Sequence, residues 1–387
     1  MRKVLHDAKS KAMPIYLDDN ATTQPHPEAV TAMFATMQSG WGNPSSIHGV
    51  GREARRHVES ARAQVATLMA CGLEDVVFTS GATEALHLAL LALVQERERG
   101  SERGWVLSSK LEHPAVRVAL ERLQREGRLQ VAWLPVDGHG VVQLGEATAL
   151  TGGGRIHAMC MQQVNSETGV LQPIAEAFVL ARAHGAQVLV DTAQAVGRVP
   201  GVCPEADARV IAAHKIGGPK GIGALIKRPG YRIEASLGGG QQERGLRPGT
   251  LDAALCTGFG AAANHALSGP ARYAAMKPLR DSFEACILQE VRGTSVVGVS
   301  VARAPHVSNI LFPGWNAPEL VAALDLEGVC VSAGSACSAG TVGVSTAIAA
   351  IVGTERARGA VRFSMGPHNT LADIERATEV VLRVLSR

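Results

Sequence analysis

Residues 76–84 read Val-Val-Phe-Thr-Ser-Gly-Ala-Thr-Glu and predict a strand that turns directly into a helix. The apolar and β-branched residues 76–79 favour a strand, the small residues after them favour a turn, and the apolar run 85–99 favours a helix. Strand-length apolar runs recur at 105–108, 157–162, 187–190 and 209–212. This alternation is typical of a parallel sheet wrapped by helices, where functional groups collect at the carboxyl ends of the strands.

Length and composition bound the class of protein. The 387 residues exceed one compact core, which predicts two domains that share a cleft, and an alanine-rich helical stretch from about 250 to 267 marks the change between them. A hydrophobic fraction of 46% with 19% charged residues is typical of a globular chain. The net charge of +3 is small and its lysines and arginines are scattered, which does not favour nucleic acid as a partner. We expect small-molecule and protein partners.

The cysteines and the termini indicate the compartment. Seven cysteines include no C-x-x-C pair, which argues against a disulfide framework and against a zinc site, so we predict no metal. The first dozen residues lack the apolar core of a secretory signal, and the richest apolar run, 85–94, is too short to span a membrane. We therefore expect a cytoplasmic protein.

Two residues carry the strongest chemical signal. Lys215 follows an apolar run and precedes glycines, a setting in which a lysine can form a Schiff base with a carbonyl cofactor. Lys220 is a competing candidate, although its place in Gly-Pro-Lys-Gly favours a surface turn. Cys337 stands among serines and glycines, which favours an exposed nucleophile over a buried thiol. Together they indicate sulfur chemistry on an amino acid.

Further polar residues follow predicted strands, and each has an ordinary structural alternative. Asp191 could hold a proton on a pyridinium nitrogen, or it could cap a helix. His113 could cover a planar cofactor and move protons, or it could be a loop histidine before a helix that starts at Pro114. The turn 79–84 could hold a phosphate at a helix N-terminus, or it could be a plain N-cap formed by Ser80 or Thr83.

Taken in order along the chain, these residues resemble the class I cysteine desulfurases, the NifS/IscS-like branch of the fold-type I enzymes that use pyridoxal 5'-phosphate (PLP). The matching motifs span nearly the whole chain and lie at residues 16–23, 42–46, 79–84, 112–113, 164–169, 191–194, 214–215, 247–250, 332–338 and 362–364. The resemblance implies an α/β fold with a mixed, mostly parallel seven-stranded sheet in a large domain of residues 18–262. Residues 1–17 and 263–387 would form a smaller α/β domain that carries Cys337.

The resemblance also implies roles around the cofactor. Lys215 would hold PLP as a Schiff base and then move protons at the substrate Cα, while His113 would stack on the ring and act in acid–base steps. Asp191 would pair with the pyridine nitrogen, and Gln194 and Asn165 would bond the side of the ring that carries the oxygen.

The phosphate and the substrate would be held elsewhere. The phosphate would lie against Ala82, Thr83 and His214, with Thr250 contributed by the second subunit of a homodimer. The substrate carboxylate would be bound by the pair Asn43 and Arg362, which with Asn165 form the implied substrate-binding set.

The implied reaction converts L-cysteine to L-alanine. The Cys337 thiolate attacks the substrate sulfur and becomes a persulfide, and its small-residue loop would carry the sulfur to an acceptor protein for iron–sulfur cluster assembly or another thiolation pathway. Two alternatives stay open: another PLP reaction, such as selenocysteine or cystine lysis or transamination, and a non-catalytic scaffold.

The chain departs from the family pattern at three places. Ala212 stands where the family usually has a serine whose hydroxyl bonds the phosphate, and the loss of such a hydrogen bond costs about 1.5–3 kcal/mol. Ser166 stands where the family more often has a second asparagine beside Asn165, and we expect little effect. The sequence ends at Arg387, without the longer tail of housekeeping members, which favours a specialised, NifS-like role.

Overall fold

A computed structural model describes residues 14–99, 104–334 and 344–386 of the protein. Its strands are β1 (Ile15–Tyr16), β2 (Val76–Thr79), β3 (Trp105–Ser109), β4 (Gln130–Leu134), β5 (Ile156–Gln162), β6 (Gln187–Asp191), β7 (Ala208–Ala212), β8 (Gly223–Lys227), β9 (Ser295–Val296), β10 (Val307–Leu311), β11 (Val329–Cys330) and β12 (Ala360–Ser364). Its α-helices are α1 (Pro27–Ser39), α2 (Gly49–Leu68), α3 (Ala82–Arg99), α4 (Pro114–Arg125), α5 (Ala147–Thr151), α6 (Ile174–His184), α7 (Ala253–Ala266), α8 (Gly269–Ala274), α9 (Lys277–Glu290), α10 (Ala317–Leu326), α11 (Thr346–Val352), α12 (Thr354–Ala357) and α13 (Leu371–Leu385).

Seven strands form the large sheet, in the order β2-β8-β7-β6-β5-β3-β4. The five strands from β7 to β4 run parallel, and β8 is antiparallel to both of its neighbours. This confirms the expected mixed, mostly parallel seven-stranded sheet. The strand predictions are confirmed to within a residue or two, and the predicted helix after β2 begins three residues earlier than expected, at Ala82.

Helices cover both faces of this sheet, which is why its strands are almost continuously apolar. Successive side chains of a strand point to opposite faces, so Val77 packs with α3 and α4 while Val76 and Phe78 pack with α2 and α7. Helix α6 covers the second face farther along, against β5 and β6. Polar residues are therefore confined to the strand ends.

A smaller unit follows the large sheet. Its antiparallel sheet has the order β12-β10-β9, and α9, α10 and α13 pack against it around Phe283 and Phe363. The short strand β1 pairs in parallel with β11, so the start of the described chain joins this later part. The domain boundaries themselves stay a prediction. Within the described ranges, no helix is both long and apolar enough to cross a membrane.

The site is positioned by the neighbouring strands β5, β6 and β7. Their carboxyl ends lie at one edge of the sheet because the strands are parallel and adjacent. Strand β5 ends at Gln162, and β6 ends at Asp191. Strand β7 is followed directly by a short 3₁₀ helix of one turn, Ala213–Lys215. Residues that are distant in sequence are thereby brought to one place.

Candidate active site

A cavity of about 570 Å³ opens at this edge of the large sheet. Most of the residues expected in the site line it, namely Ala82, Thr83, His113, Asp191, Gln194, His214, Lys215 and Arg362. Its volume lies in the range typical of cofactor and small-molecule sites. The competing candidate Lys220 also lines the cavity, but it is exposed.

Lys215 stands at the end of the turn that follows β7 and is half-buried. Its Nζ donates to the main-chain oxygen of Asn20 and, at 2.9 Å, to that of Ala21. These acceptors belong to the segment after β1, which crosses over the strand ends. The amine is thus held at the cavity wall by oxygens that carry no formal charge.

Asp191 ends β6, where its Oδ1 accepts a 3.0 Å hydrogen bond from the backbone N–H of Ala193. Burial raises the pKa of this carboxyl, and the Ala193 bond, His113 and Lys215 act in the opposite direction. A buried carboxylate of this kind is stabilised when a cationic ring nitrogen approaches it.

His113 lies directly before the helix that starts at Pro114, as its structural interpretation predicted, and it also lines the cavity, while its role toward a cofactor stays a prediction. It is the N-cap of α4, and its Nδ1 accepts from the backbone N–H of Ala115 at 3.1 Å. Because Nδ1 is an acceptor, the neutral ring carries its proton on Nε2. Burial lowers the pKa of His113, with Asp191 acting in the opposite direction and Lys215 adding to the lowering. The ring is therefore a neutral imidazole of fixed tautomer at the cavity.

Glu112 belongs to this edge of the sheet and was noticed in the sequence only as part of a motif. Its Oε1 accepts from Ser109 at 3.2 Å, while its buried Oε2 has no partner among the described residues. Burial, and then the charge of Asp191, raise the pKa of Glu112 well above its ordinary value. The neutral form of Glu112 is therefore favoured next to Asp191.

The turn between β2 and α3 forms another wall of the cavity. Ala82 and Thr83 begin α3, where backbone N–H groups and the helix dipole favour an anion. Gly223 is required there, because a Cβ at this position would lie 2.8 Å from the carbonyl carbon of Gly81. The wall is thus made of small residues and main chain.

His214 also lines the cavity, and its Nδ1 lies 3.2 Å from the hydroxyl of Thr22. Burial, followed by the charges of Lys215 and Arg198, lowers the pKa of His214 to about 4. Ala212 is buried at the end of β7 and offers no hydroxyl to the cavity.

Arg362 reaches the cavity from β12. Its Nη1 donates to the carbonyl of Ser166 at 3.1 Å, and its Nη2 pairs with Asp18 at 2.5 Å. Its Nε is buried and has no partner among the described residues. The guanidinium brings a positive charge to this end of the site.

Other predicted residues lie away from the cavity lining. Asn43 is exposed, and its Oδ1 accepts from the N–H of Ser45 at 2.9 Å. The Oδ1 of Asn165 builds a turn by accepting from the N–H groups of Glu167 and Thr168. Thr250 is exposed. Their binding roles stay predictions, and Cys337 lies outside the described residues.

A buried polar cluster behind the cavity was not foreseen. We call it the brace cluster, and it consists of Asp19, Arg198, Tyr273 and His306. Arg198 donates to the Oδ2 of Asp19 at 3.3 Å, and the hydroxyl of Tyr273 donates to the same oxygen at 2.6 Å. All four residues are buried. No local pattern marks Arg198, Tyr273 or His306, and Asp19 is marked only as part of the motif at residues 16–23.

Asn20 joins the brace cluster to the cavity. Its Oδ1 accepts from Arg198 at 2.8 Å and lies 2.9 Å from the Nε2 of His306. Its main-chain oxygen accepts from Gln194 at 3.0 Å and from Lys215. The oxygen that holds the lysine amine is therefore fixed by a buried ion pair. The signal available in the sequence was only that Asn20 belongs to the motif at residues 16–23.

The donor set of the cavity fits PLP. A lysine, a buried carboxylate at a strand end, a neutral imidazole and a helix N-terminus all line one space of adequate size. In such an arrangement Lys215 would bind the aldehyde, Asp191 the ring nitrogen, and residues 82–83 with His214 the phosphate.

The sequence and the fold are both similar to those of known proteins. Residues 15–377 match the family described as aminotransferase class-V. The chain is 38% identical to a cysteine desulfurase of Cereibacter sphaeroides over 375 residues, which covers 95% of this chain and 94% of the relative. A solved NifS-like protein matches with a TM-score of 0.88 at 28% identity, covering 97% of this chain and all 100% of that one. A structure of SspA in complex with cysteine matches with a TM-score of 0.79 at 27% identity, covering 92% and 99% of the two chains.

Proposed function

The chain belongs to the class-V aminotransferase family and, within it, to the cysteine desulfurases, and we propose that it converts L-cysteine to L-alanine and passes the sulfur through Cys337. The observation that carries this proposal is the convergence of Lys215, Asp191 and His113 on one cavity. Relatives that are named for this activity cover nearly the whole chain. The proposed cofactor is pyridoxal 5'-phosphate.

When bound, pyridoxal phosphate withdraws electrons from the substrate and so acidifies its Cα–H. Asp191 would hold the ring nitrogen in its protonated form, and burial of the carboxylate would strengthen that ion pair. Lys215 moves protons at the substrate Cα, since its amine is placed at the cavity wall by the oxygens of Asn20 and Ala21. His113 would contact the cofactor and has its Nε2–H available as a donor, because its Nδ1 already accepts a hydrogen bond.

Arg362 orients the substrate by binding its carboxylate, for which its guanidinium brings a positive charge to the cavity lining. We assign the second carboxylate contact to Asn43. The thiolate of Cys337 then attacks the substrate sulfur: a new S–S bond forms, the C–S bond breaks, and its electron pair remains on the carbon that becomes the alanine methyl group. The persulfide on Cys337 is the form in which the sulfur leaves the site.

We also propose that the protein works as a homodimer. Helix α1 presents an apolar stripe to solvent, with Phe34 63% and Met37 65% exposed, and Trp41 just beyond the helix is 72% exposed. Such a continuous patch is unusual on a monomer and typical of an interface. The exposed Thr250 would reach the cavity of the second copy.

The acceptor of the sulfur is proposed to be a protein, either an iron–sulfur scaffold or a sulfur carrier of another thiolation pathway. A persulfide forms on a free thiol. Its outer sulfur is released in a reducing environment. The described cysteines are all free thiols, which supports a cytoplasmic location.

The decisive experiment is single-turnover alanine formation from L-cysteine without added reductant, with the Cys337→Ala protein in parallel. We expect one equivalent of alanine from the wild type, with the sulfur trapped on the protein, and none from the variant. Alanine from both proteins would move the sulfur chemistry away from Cys337. Alanine from neither, in a yellow protein that contains PLP, would show that cysteine is the wrong substrate.

A further inference from the structure

The segment Gln242–Gly245 has an unusual backbone. Three successive residues adopt left-handed conformations, with φ of 47° at Glu243, 58° at Arg244 and 77° at Gly245. Only the last of them is a glycine, and side chains at the other two disfavour this conformation. Such a conformation persists only where the surroundings hold it in place.

The Glu243 side chain supplies that hold. It is 5% exposed, and its carboxylate forms a bidentate pair with Arg62 at 2.8 and 2.6 Å. The same carboxylate accepts a 2.6 Å hydrogen bond from the backbone N–H of Phe78. One buried group is therefore bonded both to a helix, α2, and to a strand, β2.

Among the described strands, β2 is the last at its end of the large sheet, so the backbone groups on its outer side pair with none of these strands. The N–H of Phe78 is satisfied by Glu243, and the carbonyl of Val76 accepts from Arg62 at 3.0 Å and from Arg244 at 2.6 Å. The side chains of the left-handed turn thus substitute for a neighbouring strand. They fix β2 immediately before it enters the turn 80–83 of the cavity.

A second set of hydrogen bonds, a few residues later in the chain, joins the segment after the left-handed turn to the region of β2. Arg247 donates to Glu84 at 2.9 Å, and Glu84 accepts from the backbone N–H of Ser80 at 2.5 Å. The chain from Glu243 to Arg247 is therefore tied at both ends to the strand and turn that form the cavity wall. Thr250 follows directly and is exposed.

We propose that Glu243 is a positioning residue for both cofactor sites of the dimer. Through β2 it holds the turn 80–83 of its own cavity, and through the left-handed turn it sets the place from which Thr250 reaches the second copy. Glu243 itself touches neither cofactor nor substrate. This inference rests on the proposed PLP-dependent function and on the proposed homodimer.

Two conservative variants separate positioning from simple charge pairing. Glu243→Asp keeps the charge and tolerates the left-handed backbone, but it is one methylene too short to reach both Arg62 and the N–H of Phe78 without moving the turn. Glu243→Gln keeps the reach but leaves Arg62 short of its buried counter-charge. The matched control is Glu59→Gln, because Glu59 also bonds Arg62, at 3.0 Å, but its side chain is 53% exposed and, within the described part of the chain, forms no hydrogen bond to β2 or to the left-handed turn.

The measurement is the dissociation constant of cofactor-free protein for PLP, beside the thermal midpoint of the same samples. We expect Glu243→Asp to weaken PLP binding about tenfold, the size of one weakened hydrogen bond to a charged group, while Glu243→Gln and Glu59→Gln bind nearly as the wild type does. The thermal midpoint should fall most in Glu243→Gln. The proposal would be overturned if Glu243→Asp bound PLP as tightly as the wild type does. It would also be overturned if the variants ranked in the same order by PLP affinity and by thermal midpoint. If Glu243→Gln does not fold, the comparison of PLP affinity between Glu243→Asp and Glu59→Gln still tests the proposal.

Mixed dimers test the effect on the second copy. One protomer carries Lys215→Ala, so that only the other can be fixed to PLP by borohydride, and Glu243→Asp is placed either in the fixable protomer or in its partner. We expect lower occupancy in both arrangements at limiting PLP. A loss confined to the first arrangement would overturn the role toward the second copy. A wild-type protein that binds no PLP would overturn the proposed function, and the role of Glu243 with it.

Discussion

Two polar clusters meet at Asn20, one half-buried and one fully buried, and they differ in what surrounds them. Lys215, Asp191 and His113 form the first, which we call the open cluster because all three line the cavity. The second is the brace cluster, in which Asp19 is bonded by Arg198 and Tyr273, while Arg198 and His306 both bond the side chain of Asn20. Polar groups that face a cavity retain capacity for a ligand, whereas polar groups that satisfy each other fix positions. Similar side chains are thus used for chemistry in one cluster and for rigidity in the other.

The largest effect that would sharpen this comparison is expected in the open cluster. Lys215→Ala removes the group that moves protons at the substrate Cα, and alanine formation should fall by at least about 10³-fold. Its thermal midpoint should stay close to that of the wild type, since no apolar core is disturbed. Steady-state alanine production and a thermal scan of the same sample check this. Activity within tenfold of the wild type would assign the role to another residue, of which Lys220 is the first to examine.

The next effect belongs to the brace cluster. Arg198→Met leaves Asp19 buried without its counter-charge, and the free energy of unfolding should fall by about 3–5 kcal/mol. Urea denaturation of the holoprotein measures the loss. Arg198→Lys is the control, because it retains the charge and should recover part of the stability. A methionine variant as stable as the wild type would remove the contrast between the two clusters.

A smaller loss is expected at Tyr273. Tyr273→Phe deletes only the 2.6 Å hydrogen bond to the Asp19 carboxylate, a bond to a charged group worth about 1.5–3 kcal/mol. The ring contact with His306 remains, since the centroids are 4.7 Å apart and the phenyl ring is unchanged. Urea denaturation again gives the value. A loss equal to that of Arg198→Met would mean that the hydroxyl, rather than the ion pair, holds the cluster.

The smallest effect concerns pH. Burial, followed by the charges of Arg198, Arg280 and Arg362, lowers the pKa of His306 well below its ordinary value. The unfolded chain therefore binds a proton that the folded chain does not bind, so stability is lost as the pH falls below about 6.5, by about 1 kcal/mol between pH 6.5 and 5.5. His306→Gln cannot titrate, and its stability between pH 6.5 and 5.5 should fall less steeply. Parallel slopes for the two proteins would contradict this assignment.

Much of the fold and of the open cluster follows from local pattern. Apolar runs predicted β2, β3, β5, β6 and β7 to within a residue or two, because strands buried on both faces need continuous apolar sequence. Asp191 and Lys215 could be found because each follows such a run, and the ends of adjacent parallel strands lie at one edge. Their local setting nevertheless left structural alternatives, which the family resemblance narrowed.

The brace cluster and the hold on Glu243 could not be found in this way. Arg198 and Asp19 are 179 residues apart, Arg62 and Glu243 are 181 apart, and each looks like an ordinary surface charge in its own segment. At Asn165 the motif predicted a ligand contact, which stays a prediction, and only the structure shows that its Oδ1 also builds a turn. Which polar groups become buried together depends on how whole segments pack.

By itself, the sequence determined the α/β class, the strand ends at which chemistry collects, and the lysine, aspartate and histidine that line the cavity. Only the tertiary structure decided that the main-chain oxygen of Asn20, 195 residues from Lys215, holds the lysine amine, and that a buried ion pair fixes that oxygen. The physical reason is the distance along the sequence over which each kind of interaction acts. Periodicity and turn chemistry act over a few residues, whereas the burial and pairing of charges are set by contacts that exist only once the chain has folded.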